Sequence, residues 1–133
     1  NPFKNKPFYS IDQRLRKAKK LTKSNKKIKV AYFDEILSSS RSIDTIYYLI
    51  SKKKHKNIFL IIGSDNLINF HKWKSWKKIV KLTKLIVFSR RGYDKKSKKS
   101  KVTKYLKNKI IFIKNKPILI SSTKLRNRDQ VKR

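Results

Sequence analysis

Three short stretches carry side chains whose types and spacing could do chemistry. "IIGSDNLINFHKW" (61–73) closes an apolar run with Gly63, sets Asp65 two residues on, and follows with His71 and Trp73. Glycine lets a ligand come close to the backbone. A carboxylate just past a buried strand can accept hydrogen bonds from ribose hydroxyls. Trp73 offers a flat apolar face to a heteroaromatic ring. "ISSTKLR" (120–126) places the hydroxyls and backbone N–H groups of Ser121, Ser122 and Thr123 at a predicted helix start, which suits an anion. Arg126, one turn on, can fork onto a phosphate. "SRRGY" (89–93) puts Arg90 and Arg91 behind another apolar run, where they could meet phosphate charge. The sum is a site for a phosphorylated ribonucleotide.

Each stretch has a plainer reading. Ser64 or Asp65 can simply cap the next helix, and on residue types alone that reading is preferred. Both tryptophans can be core anchors, and Trp76 is read so. His71 could orient a phosphate, but the preferred reading is an exposed loop residue. An ordinary Ser cap weighs equally with the anion site at 121–123. Arg90 and Arg91 can be solvated. The sequence shows no paired-carboxylate site, Ser–His–Asp triad or Walker lysine loop. The residues by themselves therefore stop short of a reaction.

What must position these groups is a set of alternating helices and strands. Ser10 followed by Gln13 is a capping-box pattern that opens a helix, with Leu15, Ala18 and Leu21 as a modest inward stripe. "KIKVAYF" (27–33) predicts a short strand and "DEILSSSR" a loop. "SIDTIYYLISKK" (42–53) predicts a helix with Ser42 as N-cap and Ile43, Ile46, Tyr47 and Ile50 facing inward. "NIFLIIG" (57–63) reads as a strand buried on both faces of a parallel sheet. Short helices follow in "SDNLINF" and "SWKKIVKL", then a strand in "KLIVFSRRG" (84–92) and a mobile polar loop in "YDKKSKKSK". "VTKYLKN" predicts a helix and "KIIFIKN" (109–115) a strand. "PILISSTKLRNR" runs from extended chain into a helix starting near Ser122. Such alternation implies an α/β fold on a parallel sheet, as one domain over 1–133. In that fold the loops after the strands, and the first turn near Ser122, converge on one edge.

Composition narrows the class. The chain has no cysteine, which excludes disulfides and thiolate metal sites. His55 and His71 lie too far apart to suggest a metal site, so no metal ligand is assigned. No apolar stretch approaches the roughly 20 residues that span a bilayer, and no signal peptide is visible. A cytoplasmic protein is the expectation, with no membrane partner. The formal charge of +32 on 133 residues, with seven acids, invites a nucleic-acid reading. The lysines, however, are spread over almost every segment and gather on no single helix face. Generic basicity is preferred, and a basic nucleic-acid-binding α/β protein stays as the alternative from a different class.

Taken as an ordered set, these motifs resemble the bacterial nicotinate-nucleotide adenylyltransferases. That family has a strand ending in Ile-Gly-x-Asp, then Phe-x-x-Trp, an Arg-x-Gly-Tyr-like turn, and Ile-Ser-[Ser/Ala]-Thr-x-[Ile/Leu]-Arg. Here they fall at Gly63, Asp65, Phe70, Trp73, Arg90, Gly92, Tyr93 and Ser121 to Arg126. "NPFK" (1–4) and "SIDTI" (42–46) are similar to two further family segments. The resemblance implies a Rossmann-like nucleotidyltransferase fold. It implies transfer of AMP from ATP to nicotinate mononucleotide, giving deamido-NAD and pyrophosphate in NAD biosynthesis, with Mg²⁺ accompanying ATP. By the same carry-over, Asp65, Trp73, Ser42, Thr45 and Lys4 bind the nicotinate nucleotide. Ser122, Thr123, Arg126, Gly63 and Arg90 serve ATP and its phosphates. A sister enzyme using nicotinamide mononucleotide is the near alternative, a non-catalytic relative that keeps only the pocket is another, and a homo-oligomer stays open.

Two departures accompany the resemblance. The family's Tyr-Thr pair is Arg41-Ser42 here, so the hydroxyl survives and the aromatic neighbour does not. The family's first strand and its His-x-Gly-His turn, which carries the catalytic histidines, have no counterpart. With Asn1-Pro2 at the start and no methionine, the sequence-based expectation is a chain incomplete at its N-terminus and inactive as an isolated piece.

Overall fold

A computed structural model describes residues 9–115. Lys4, Ser121, Ser122, Thr123 and Arg126 lie outside the described residues, as does the predicted helix near Ser122. The capping box forms as expected. Ser10 Oγ accepts from the Gln13 N–H at 3.2 Å, and Gln13 Oε1 accepts from the Ser10 N–H at 3.1 Å, opening α1 (Ile11–Thr22). Its inward stripe is only partly realised. Leu15 and Ala18 are half-buried, but Leu21 is exposed.

The expected strand at 27–33 does not form. No strand among the described residues lies beside it, and an extended segment without a partner cannot complete its ladder. The expected loop after it contains one helical turn, α2 (Asp34–Leu37). Ser38 closes that turn in the left-handed region (φ 45), while the Ser39 N–H returns to Asp34 O at 3.0 Å. Next comes α3 (Ser42–Ser51), with Arg41 rather than Ser42 at the N-cap. Ile43 and Ile46 are buried, whereas Tyr47 faces water. Tyr48 packs instead, its ring 5.2 Å from that of Phe33.

The sheet is β1 (Ile58–Gly63), β2 (Thr83–Phe88) and β3 (Ile110–Ile113), in that order and parallel throughout. Between the first two strands run α4 (Ser64–Asn69), a 3₁₀ turn (Phe70–Lys72) and α5 (Trp76–Leu82). Between the last two run α6 (Asp94–Lys98) and α7 (Lys101–Leu106). The stretch 93–101, expected as a polar loop, is therefore largely helical. Buried Ser97 donates to Asp94 O at 2.9 Å, and Ser100 Oγ accepts from the Thr103 N–H to start α7. Lysine-rich composition hid these local signals.

The core lies on one face of the sheet. Ile62, Leu85, Val87 and Ile110 meet Ile43 and Ile46 of α3, Leu67 of α4, Ile79 of α5, Val102 of α7, and Phe70. Burying a side chain such as Leu67 or Phe70 contributes roughly 1.5–3 kcal/mol. The opposite face carries Phe59, Ile61, Phe88, Ile111 and Ile113, all exposed among the described residues. Burial of β1 on both faces is thus not found among the described residues, where Phe59 and Ile61 stay exposed.

Candidate functional site

The register ends at Gly63 beside Phe88 and Phe88 beside Ile113, so all three strands stop at one edge. β1 passes directly into α4. β2 passes through a turn into α6, with the Tyr93 N–H bonded to Arg90 O at 3.0 Å. Gly92 sits in that turn at φ 85, a conformation that favours glycine. Ser42 and Thr45 lie in the first turn of α3, the helix that precedes β1.

At the end of β1, Gly63, Asp65 and Arg90 come together. Arg90 Nε lies 3.3 Å from Asp65 Oδ1. This is a charge contact rather than a directed hydrogen bond, since Asp65 Oδ1 is shielded from solvent with no hydrogen-bond partner. The pair packs over Gly63. A Cβ there would fall against Asp65 Oδ1 and within 2.7 Å of Arg90 Nε. The space that glycine leaves open is occupied by the protein's own ion pair. Neither Ser64 nor Asp65 makes a side-chain cap to α4, so the capping alternative is not realised.

The Ser64 hydroxyl is used elsewhere. It is fully buried, accepts from the Arg90 N–H at 2.9 Å, and lies 3.5 Å from Arg90 O. Asp94 Oδ1 shares that N–H at 3.1 Å, while Asp94 Oδ2 accepts from the Ser89 hydroxyl. Hydrogen bonds from Ser89 first, then Ser64 and the Arg90 backbone, hold the Asp94 carboxyl below its ordinary pKa, against an opposing effect of burial. Sequence reasoning missed Ser64, Ser89 and Asp94. A usable signal existed, because "SRRGYD" (89–94) and "SSRSID" (39–44) both place a serine five residues before an aspartate. In the second, Ser39 Oγ donates to Asp44 Oδ2 at 2.6 Å and accepts from the Arg41 N–H at 3.2 Å.

Trp73 packs half-buried on Phe70, with ring centroids 4.8 Å apart. It is partly a core anchor, and its remaining surface is open. Trp76 also packs against the core and meets the Tyr105 ring edge-on at 5.1 Å. His71 is half-buried, and its Nδ1 lies 3.1 Å from Ile68 O, so it is not the exposed loop residue expected. Arg91 is exposed. Ser42 and Thr45 are half-buried in the first turn of α3.

Among the described residues no group of three or more His, Asp or Glu side chains could hold a metal ion. Likewise, no helix there is long and apolar enough to cross a membrane. The profile of the cytidylyltransferase-like family matches residues 1–128. A Pelagibacter ubique protein named "Probable nicotinate-nucleotide adenylyltransferase" is 46% identical over 127 residues, covering 95% of this chain and 70% of that protein. A Fusobacterium nucleatum protein of the same name is 37% identical over 88% of this chain and 61% of its own length. An Aquifex aeolicus counterpart is 34% identical over 92% of this chain and 76% of its own.

Proposed function

The chain belongs to the cytidylyltransferase-like family, among the nicotinate-nucleotide adenylyltransferases, and from that membership we propose that it transfers AMP from ATP to nicotinate mononucleotide. The products are deamido-NAD and pyrophosphate, a step of NAD biosynthesis. The observation that carries the reading is the Asp65–Arg90 pair seated over Gly63 where β1 and β2 end. It puts an acceptor for ribose hydroxyls and a cation for phosphate side by side, at the edge where parallel sheets bind nucleotides.

The transfer joins a phosphate oxygen of the mononucleotide to the α-phosphorus of ATP. The bond to the β-phosphate oxygen breaks, and pyrophosphate leaves with the charge. Such chemistry relies on alignment and charge stabilisation. The Asp65 carboxylate accepts from ribose hydroxyls. The Arg90 guanidinium faces phosphate with its terminal amino groups. The open face of Trp73 stacks on the nicotinate ring, and Ser42 and Thr45 flank the pyridine nucleotide. Lys4, Ser122, Thr123 and Arg126 are assigned to phosphates on sequence alone. The described residues form no metal cage. Mg²⁺ would enter with the ATP substrate, held by phosphate oxygens and water. A cytoplasmic site of action goes with these substrates.

The test is turnover. Protein expressed from the complete reading frame is incubated with ATP and either nicotinate or nicotinamide mononucleotide, and products are separated by chromatography. Deamido-NAD and pyrophosphate in equal amounts, with the amide turned over more slowly, support the reading. Preference for the amide would move the protein to the sister activity, and no adenylyl transfer to either would overturn the proposal.

A further inference from the structure

Arg90 is held in place by something other than its own packing. Its side chain is 61% exposed, yet its Nε reaches Asp65. A long side chain in water samples many rotamers, so the anchoring acts on the backbone from which it extends. That backbone is gripped from two elements. Ser64, at the start of α4 and fully buried, engages the Arg90 N–H and approaches its carbonyl. Asp94, the first residue of α6, takes the same N–H and is itself held by the Ser89 hydroxyl.

We propose that Asp94, with Ser89 and Ser64, is a positioning residue for adenylyl transfer: it sets the Arg90 backbone so that Nε braces Asp65 while the terminal amino groups face phosphate. The inference rests on the adenylyltransferase reading for its consequence but not for its geometry. Only one ion pair of Arg90 occurs among the described residues, so Nε is engaged and the two terminal nitrogens remain for a ligand. A fork of that kind recognises phosphate by shape as well as by charge. Loosening the backbone anchor would leave both partners present but misaimed. A related contact holds the start of α3, where Ser39 donates to Asp44 and itself accepts the Arg41 N–H.

A double-mutant cycle tests this on the protein from its complete reading frame, using Asp94→Ala, Arg90→Ala and the pair combined. Asp94→Ala is expected to lower kcat/KM for ATP roughly ten-fold, the effect of losing a hydrogen bond to a charged group. In the Arg90→Ala background it should add less than about two-fold, because its influence passes through Arg90. Equal losses in both backgrounds would mean Asp94 acts on the fold generally, and would overturn the proposal. Ser89→Ala, which removes only the donor on Asp94, repeats the cycle should Asp94→Ala fail to fold. A second readout needs no turnover: the Arg90 Nε–H signal in an NMR spectrum, assigned by its loss in Arg90→Lys. With Ser89→Ala or Asp94→Ala it should move toward the position of solvent-exposed arginines. An unmoved signal overturns the proposal, even in a protein whose lack of adenylyl transfer had already refuted the enzymatic reading.

Discussion

Replacing Gly63 by alanine should lower activity by roughly one to two orders of magnitude while leaving the fold intact. Gly63 has φ −85 and ψ 158, extended backbone that alanine adopts freely. By itself the change would stabilise by about 0.4–1 kcal/mol through the unfolded chain. Against this stands the new Cβ, which would lie 2.7 Å from Arg90 Nε, 3.2 Å from Arg90 Cδ, and against Asp65 Oδ1. The 61% exposed Arg90 can swing into water, and a pair with one partner this exposed is worth only about 0–1 kcal/mol. The two effects nearly cancel, so Tm should move by no more than roughly 4–8 °C. Activity does not share that tolerance. Asp65 and Arg90 both have to shift, and a misplacement of about 1 Å can cost on the order of 100-fold. We expect kcat/KM to fall roughly 10- to 100-fold, read by pyrophosphate release beside a thermal melt. In an Asp65→Ala background the same change should add less, since one of the two side chains it strikes is gone and only Arg90 must still shift. Activity within about two-fold of the parent would refute the reasoning, because the ion pair would then be irrelevant to the reaction. So would a collapse of Tm, which would make Gly63 a purely structural residue.

Three further outcomes are expected. Trp73→Phe keeps an aromatic face on Phe70, whereas Trp73→Ala should raise KM for the mononucleotide about 3- to 10-fold with KM for ATP unchanged, the loss of one stacking contact; steady-state kinetics with each substrate varied would check it. Ser39→Ala removes both the donor to Asp44 and the acceptor of the Arg41 N–H, and should cost about 1 kcal/mol in urea unfolding. Asp94 has a depressed carboxyl pKa, so its contribution to stability is present above the unfolded value of about 3.9 and is lost as pH falls through the lower folded value. The stability gap between the parent and Asp94→Asn should be flat from about pH 5 to 7 and close below about pH 4, as followed by urea midpoints across pH.

Much of the architecture was legible because it rests on local signals. Ser10 and Gln13 announce α1, and the apolar runs at 58–62, 85–88 and 110–113 announce the three strands in their parallel order. What was misread depended on partners. The run at 27–33 has strand composition and no neighbour to pair with among the described residues. β1 reads as buried twice over, yet Phe59 and Ile61 are exposed, since composition reports what a face could bury and not what covers it. The helix at 94–98 was obscured by lysines whose charge resembled that of a loop. At the site, Gly63 and Asp65 stood out as the glycine and acid closing an apolar run. Their use did not, because a backbone amide such as that of Arg90 has no sequence signature. The contact between Ser64 and Arg90 spans 26 residues and appears only when β1 and β2 align.

In a chain with 39 basic residues and seven acids, a lysine says little about function and an aspartate says a great deal. Asp65 and Asp94 lie just past the edge where β1 and β2 end, Asp44 lies in the first turn of α3, and each is held by a specific partner. Asp44 takes the Ser39 hydroxyl, Asp65 the Arg90 guanidinium, and Asp94 the Ser89 hydroxyl and the Arg90 amide. A surface evolved only to attract a polyanion would gain from removing negative charge at its point of contact. Here negative charge is retained and each carboxylate is oriented. That pattern fits a site where ribose hydroxyls must be accepted and phosphates met within a few ångströms of each other. It does not fit a surface whose task is to bind phosphate backbone of any sequence. Substituting Asp44, Asp65 and Asp94 one at a time should therefore lower turnover. The same changes on a nucleic-acid-binding face would raise affinity for DNA or RNA, and their sign separates the two.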